Sequence, residues 1–228
     1  AVRDVAVLTE PLSVAEKGLR QYEAIQRRLP WLRDSALADM LRGTRAVVLG
    51  GGPIGLLGAM LFRLYDADVV VYSREQPPAP EADVTDAIGG RYISSEDEDF
   101  ESVVEQLGGV DIIYEGTGAA ELMFEVLPHM SRNAVFIATG VPSPNGKAEI
   151  DADAVMHELV MRNLVLVGTV NASRADFESA IEHLGRMLDR WPDAVRGIIT
   201  HRHGPEDFCE SANSSDGLKH LVLPGGVD

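Results

Sequence analysis

The stretch Arg45–Arg74 reads R-A-V-V-L-G-G-G-P-I-G-L-L-G-A-M-L-F-R-L-Y-D-A-D-V-V-V-Y-S-R. Ala46–Leu49 has the character of a buried strand, and Gly50-x-Gly52-x-x-Gly55 follows at once. A helical run, Ile54–Leu64, and a second apolar strand, Val69–Tyr72, complete a strand–turn–helix–strand unit. That is the context in which a glycine fingerprint binds a dinucleotide. Gly50 permits the tight turn, Gly52 leaves room for a pyrophosphate, and Gly55 lets the helix pack on the strand. Pro53 and Ile54 open the helix, whose free N–H groups and partial positive charge face the phosphates.

The residues after the second strand bear on which dinucleotide binds. A reader of NAD usually carries Asp or Glu there for the ribose 2′-hydroxyl. Here the positions hold Ser73 and Arg74. A hydroxyl and a guanidinium suit a 2′-phosphate, onto which Arg can fork. Glu75 works against this, because it repels phosphate or itself takes ribose hydroxyls. The expectation is NADP, with NAD left open.

Outward from this unit, strand and helix alternate. Strands are expected at Arg91–Ile93, Val110–Tyr114, Ala134–Ala138 and Leu164–Val167. Helices are expected at about 81–88, around Val103 to Leu107, and at Ala119–Met130, Ala152–Arg162 and Ala175–Trp191. Val155, Leu159 and Val160 are assigned to one face of their helix, and Phe177, Ile181, Leu184 and Leu188 to an apolar stripe on the last one. The alternation predicts an α/β fold, a doubly wound Rossmann-type sheet of six parallel strands. Before it, Pro11 opens a helix marked by Leu12, Ala15, Leu19, Tyr22, Ile25 and Leu29. Residues 30–44 read as a connector. After it come a strand fragment, Ile198–Thr200, a short acidic helix, Pro205–Ala212, and a strand, Leu218–Leu223. The chain therefore divides into 1–40, a helix and connector; 41–192, the nucleotide-binding domain; and 193–228, a closing segment.

The chain has 228 residues, 45% of them apolar, enough for a substantial core. No run of roughly 18 apolar residues suggests a membrane span, and the start shows no signal or transit peptide. Acidic residues outnumber basic ones by 36 to 20, a net charge of −16. That argues against nucleic acid and anionic membranes as partners. Only Lys17, Lys147 and Lys219 are lysines. An acidic, lysine-poor surface fits a high-salt cytoplasm or a GC-rich genome, and both readings stand. The single Cys209 excludes an internal disulfide and fits a reducing, cytoplasmic setting.

Ligands of open α/β sheets lie beyond the carboxyl ends of the strands. Four strand ends carry small or polar residues there: Gly50–Gly55, Ser73–Arg74, Thr117–Gly118 and Gly140–Val141, joined by Asn171. A flat ring can approach such residues. No closed zinc site is visible: His201-x-His203 lacks further ligands, and such a pair is commonly one exposed and one packed histidine. There is no G-x-S-x-G elbow and no Tyr-x-x-x-Lys pair. Glu10 reads as a carboxylate favoured at a helix start.

Thr9-Glu10-Pro11-Leu12-Ser13-Val14-x-Glu16-Lys17 resembles the E-P-L-S-V segment of the zinc-containing medium-chain dehydrogenases. Together with Tyr114-Glu115-Gly116-Thr117-Gly118, Gly140-Val141-Pro142 and Val167-Gly168-Thr169-Val170-Asn171, it is similar to the archaeal-type glucose dehydrogenases. The resemblance implies a second role for Glu10, as a ligand or neighbour of a catalytic zinc. It implies that Asn171 lies near nicotinamide and sugar, and that Thr117, Gly140 and Val141 line the nicotinamide side. Ser73 and Arg74 match a small-residue-then-Arg pattern for NADP, whereas Glu75 stands where a second Arg is common. The implied reaction is metal-assisted oxidation of a sugar or alcohol, with hydride passing from C1 to nicotinamide. Full-length members carry a further N-terminal part with the other zinc ligands. This chain is therefore expected to bind coenzyme without turning over substrate, and to form a homo-oligomer, a dimer or tetramer. A zinc-independent quinone or enoyl-type reductase and a redox-sensing binding module are the alternative readings.

Overall fold

The computed structural model describes residues 3–143, 147–209 and 216–223. At its centre lies a six-stranded parallel sheet. The strands are β1 (Arg45–Leu49), β2 (Asp68–Ser73), β3 (Arg91–Ser94), β4 (Ile112–Glu115), β5 (Val135–Ala138) and β6 (Val165–Gly168). Their order, β3-β2-β1-β4-β5-β6, is the doubly wound order expected from the alternation. The reversal falls between β1 and β4, which pair from Ala46↔Ile112 to Leu49↔Glu115.

Successive side chains of a strand point to opposite faces, and β1 shows the result. Ala46 and Val48 enter one core, and Val47 and Leu49 the other. The first core is covered by α1 (Thr9–Gln26), α3 (Pro53–Leu64) and α8 (Arg174–Arg190), with α2 (Leu37–Leu41), α4 (Pro80–Ala87) and α9 (Pro192–Gly197) beside them. The second lies under α5 (Phe100–Leu107), α6 (Ala120–Val126) and α7 (Ala152–Met161). α3 is buried almost all round, from Gly55 to Phe62, as its nearly unbroken apolar sequence requires. A separate pair of parallel strands, β7 (Ile199–His203) and β8 (Lys219–Val222), closes the described chain.

Several expectations change. Residues 30–44 are not only a connector: α2 forms within them because Met40 and Leu41 find the core. The helix expected over Ala119–Met130 ends at Val126 and tightens to a 3₁₀ turn, Leu127–His129, where Pro128 supplies no N–H. The stripe assigned to α8 holds for Leu184 and Leu188 only. Phe177 and Ile181 are 37% and 52% exposed, and the buried face is instead Asp176, Ala180, His183, Leu184, Met187 and Leu188. Polar residues took that face because each finds a partner. His183 Nδ1 lies 2.7 Å from Glu16 Oε1, its Nε2 lies 2.9 Å from the Tyr65 hydroxyl, and Asp176 pairs with Arg20 at 2.9 Å. On α7, Val155 is buried but Val160 is exposed. His201 and His203 are both half-buried, and each stacks on His220. Of the expected helix Pro205–Ala212, a 3₁₀ turn forms at Pro205–Asp207, and residues 210–212 lie outside the described residues. No helix among the described residues is long and apolar enough to cross a membrane.

Arg45 and Asp111 tie the N-terminal edge of β1 to the start of β4. Arg45 Nε donates to Asp111 Oδ2 at 2.8 Å and Nη2 to Oδ1 at 2.7 Å, a two-pronged pair only partly open to water. Burial raises the Asp111 carboxyl, but the Arg45 hydrogen bonds prevail and hold it below the ordinary carboxylate range. Its stabilising share is therefore complete above the unfolded-chain value of about 3.9 and is lost as pH falls through the lower folded value. Asp111→Asn should cost about 1–2 kcal/mol at pH 7. It should also flatten the fall of the urea midpoint below about pH 4, which a pH series of urea titrations reads directly.

Candidate functional site

A groove of about 960 Å³ opens over the carboxyl ends of the strands, at the reversal point. Gly50, Gly52, Ser73, Arg74, Thr117 and Val141 are among the residues that line it. The turn between β1 and α3 forms its floor. Gly55 is obligatory there: a Cβ on it would lie 2.1 Å from the Gly50 carbonyl oxygen. Gly52 is the opposite case, since a Cβ there would meet nothing within 4 Å. That space opens into the groove, which Gly52 lines. Gly52 caps α3 with no side-chain acceptor, Pro53 sets the first helical residue, and Ile54 packs partly into the core. The first turn of this 12-residue helix thus has no side-chain cap for its N–H groups.

At one end of the groove stand the residues after β2. Gly51 N–H donates to Ser73 Oγ at 3.2 Å, and the Ser73 hydroxyl donates to Glu75 Oε2 at 2.9 Å. Arg74 is exposed, and only its backbone carbonyl is engaged, by the Ser94 hydroxyl at 3.0 Å. The Tyr92 hydroxyl donates to the Glu75 carbonyl at 2.8 Å, and burial pushes this phenol up to about 12.

At the other end, Glu115 does what the sequence reading did not foresee. It closes β4 fully buried, and its carboxylate collects the donors of two loops. Oε1 accepts the Thr117 N–H at 2.5 Å, the Thr117 hydroxyl at 2.6 Å and the Gly118 N–H at 2.8 Å. Oε2 accepts the Gly140 N–H at 3.2 Å. The loops after β4 and β5 are thereby fused: a Cβ on Gly140 would fall 2.1 Å from Gly118 N. The signal was present in Glu115-x-Thr117-Gly118, an acid ending an apolar strand with small residues two and three positions on, whose N–H groups turn back to it.

The groove brings together Gly50, Gly52, Ser73, Arg74, Thr117, Gly118 and Val141, with Gly55 and Gly140 packed directly behind. Asn171 lies outside it, exposed in the loop after β6 with a left-handed φ of 62°. Lys17 Nζ donates to the Val170 carbonyl at 2.6 Å and so ties that loop to α1. Glu10 is exposed in the first turn of α1. Among the described residues no group of three or more His, Cys, Asp and Glu could hold a metal ion. Catalytic zinc needs about three protein ligands, so these residues by themselves do not fit one.

The family described as glucose dehydrogenase C-terminus matches residues 3–223. The chain belongs to that family. It is 32% identical over 226 residues to a glucose 1-dehydrogenase of Methanocella arvoryzae, covering 99% of this chain and 60% of that protein. It is 34% identical over 225 residues to a glucose 1-dehydrogenase of Haloarcula marismortui, covering 97% and 59%. Among solved structures, Haloferax mediterranei glucose dehydrogenase in complex with NADP, Zn and gluconolactone superposes with a TM-score of 0.83 at 27% identity, over 96% of this chain and 59% of that one. The glucose dehydrogenase C-terminal chain thus spans about three fifths of the length of these relatives.

Within this family member, the Glu115 carboxylate accepts four hydrogen bonds from the loops after β4 and β5. Glu115→Ala would remove the shared acceptor of several partly buried donors and should cost about 2 kcal/mol in urea unfolding. Glu115→Gln should recover part of that loss, because its one carbonyl oxygen still accepts. An unchanged midpoint in both variants would contradict the network.

Proposed function

We propose that this chain is the NADP-binding part of a dehydrogenase that oxidises glucose or a similar sugar or alcohol at C1. The observation that carries the reading is the open cradle at Gly52, at the N-terminus of α3 and at the reversal point of the sheet. The relatives named as glucose 1-dehydrogenases and the NADP-bound neighbour support it.

On this reading the diphosphate rests on the Gly50–Gly55 turn, and the adenosine ribose lies at Ser73 and Arg74. The nicotinamide reaches the wall built from Thr117, Gly118, Gly140 and Val141, where Glu115 fixes both loops before any ligand arrives. The bound nicotinamide supplies the hydride acceptor. Asn171, held by Lys17 through the neighbouring carbonyl, is the candidate for contact with nicotinamide and sugar. Glu10 would be a carboxylate that this chain offers to a zinc centre, which would need further ligands besides it. Residues 41–192 then form the coenzyme domain, with α1 of segment 1–40 and α9 of segment 193–228 packed on its first core, and the remainder of those two segments turned towards a catalytic part. The single cysteine accords with a cytoplasmic setting.

We also assign self-association to the free edge of β6. Leu166 on that strand is 46% exposed, and Met156, Val160 and Met161 of the neighbouring α7 are 58%, 72% and 65% exposed. An apolar edge strand of this kind pairs readily with a copy of itself. Sedimentation of the chain should give a dimer, and Val160→Asp with Leu166→Lys should give a monomer.

Calorimetric titration of the 228-residue chain should show uptake of NADP with no accompanying oxidation of glucose. Gly52→Val should weaken binding by roughly a hundredfold, since it fills the cradle against the phosphates. It should leave the urea midpoint in place, because the added atoms meet no protein neighbour. Undiminished affinity in that variant would refute the site.

A further inference from the structure

The closing ribbon carries a cluster that the groove does not use. β7 and β8 pair in parallel with His201 opposite His220, and alternation along β7 puts His203 on the same face as His201. The three rings form a stack. The centroids of His201 and His220 are 4.4 Å apart, those of His203 and His220 5.0 Å, and those of His201 and His203 6.0 Å, with planes within 27° of parallel. The apolar packing beneath them is thin. Ile199 is buried, but none of Lys219–Val222 is, and Leu218 and Leu221 enter the first core only in part. The pairing of the two strands therefore leans on polar contacts.

Those contacts dictate where protons can sit. His220 Nε2 lies 2.6 Å from the Asp216 carbonyl oxygen, which only accepts, so this nitrogen carries a hydrogen. In a neutral ring the other nitrogen, Nδ1, is then an acceptor, and His203 Nε2 donates to it at 3.0 Å. A proton added to His220 goes to Nδ1 and sets two donors face to face. At the bulge, the Thr200 oxygen accepts the Leu218 N–H at 3.0 Å and the Lys219 N–H at 3.3 Å, which fills its two lone pairs. Its one hydrogen faces His201 Nδ1 at 3.1 Å and the Lys219 carbonyl at 3.3 Å. A proton on His201 Nδ1 would find no acceptor there. Two of the three rings thus serve the ribbon through a bare nitrogen.

Little around the stack offsets added charge. Among the described residues, the one carboxylate that reaches these rings is Asp216, 3.9 Å from His201 Nε2, and its side chain is 88% exposed, so the pair is weak. Arg202 and Lys219, next to these histidines in sequence, alternate to the other face. α9 packs against β7. Its Asp193 is exposed, and its Arg196 is turned to Asp4 at 3.0 Å. The Glu206 carboxylate lies over Gly204, where it would touch a Cβ. A first proton can rest on His203 Nδ1 or beside Asp216. A second sets two cations nearly ring on ring, 4.4 to 6.0 Å apart. We propose that His201, His203 and His220 make the β7–β8 pair a proton-operated latch, closed while the stack holds at most one charge and opened when it takes up a second in mildly acid solution. Opening unpairs the two strands while the six-stranded body stays folded, and it does not depend on the coenzyme reading.

The test is amide hydrogen exchange of the 228-residue chain, read by mass spectrometry as protection relative to the unstructured rate at each pH. Imidazole changes charge between about pH 5 and about pH 8, and the two ends of that range are compared. Acidification should lower the protection of β7 and β8 by about tenfold or more and leave β1 and β4 unmoved. In the double variant His201→Asn with His220→Gln one imidazole of the stack remains, so the same change should stay below about threefold. Imidazole carbon shifts, followed by NMR through the same titration, should place the loss of protection in the unaltered chain at uptake of the second proton. Protection that survives with all three rings charged overturns the latch, and so does a loss that comes before any ring is charged. An equal loss in β1 and β4 overturns it too, because the whole chain is then opening. A double variant that is closed at the alkaline end and still loses about tenfold overturns it as well. If the double variant is open at both ends of the range, the carbon shifts of the unaltered chain decide by themselves.

Discussion

The structure turns on one close approach, that of Gly55 to the carbonyl of Gly50. Any side chain at 55 would sit 2.1 Å from that oxygen, so the start of α3 can lie against the end of β1 only with hydrogen there. The rest of the architecture uses this contact. It aims the α3 N-terminus along the sheet edge, at the point where strand order reverses. It also seats α3 so deeply that residues 55 to 62 are buried throughout, which places Gly58 against the ring of Tyr114 on β4. The fingerprint is thus a packing requirement first. The open space at Gly52, where the coenzyme reading seats the diphosphate, is what remains once that packing is made.

The E-P-L-S-V-x-E-K segment has a physical account of the same kind. Pro11 and Leu12 are buried, and the Ser13 hydroxyl donates to the Glu10 carbonyl at 2.6 Å. Glu16 reaches the buried His183 on α8, and Lys17 reaches the carbonyl before Asn171. Pro11, Leu12 and Glu16 therefore seat α1 against its neighbours, and Lys17 fixes the loop at the far end of β6. Glu10 is the residue that the packing does not use, since its side chain is exposed while its neighbours are spent on the fold. Lys17 and Glu115 act through the backbone of other residues, holding loops whose own sequences are too small to hold themselves.

The fold was legible because it is written in periods. Apolar tetrads followed by glycine and a helical run specify parallel strands with crossovers, and the order of the strands follows from the handedness of those crossovers. Half of the groove was legible for the same reason: glycines and small polar residues at strand ends mark where a ligand can approach. What escaped the reading were residues whose role depends on partners distant in the chain. Phe177 and Ile181 fit the apolar stripe of α8, yet the buried face went to Asp176 and His183. Arg20 and Glu16, on a helix about 160 residues earlier, were there to satisfy them. No period in the sequence reveals such a pairing. Glu115 is harder to read, because an acid at the end of an apolar strand looks like the first solvated residue of a loop. Its burial becomes sensible only when the loops after β4 and β5 are seen to share it.

Charge sets the remaining constraint. A chain with a net charge of −16 repels an anionic dinucleotide at a distance, so on the proposed reading steering would not bring the coenzyme in. The repulsion acts over about 8–10 Å at moderate ionic strength, whereas the N–H groups of a helix terminus act at contact. Binding must therefore be won at short range, from a preformed turn and from loops fixed in advance. This is why so much of the groove is stiffened by buried or backbone-directed polar contacts and so little of it by surface cations. A fixed cradle can hold a diphosphate whose approach the protein's own field opposes. A flexible one would have to add the entropy of ordering to that opposition.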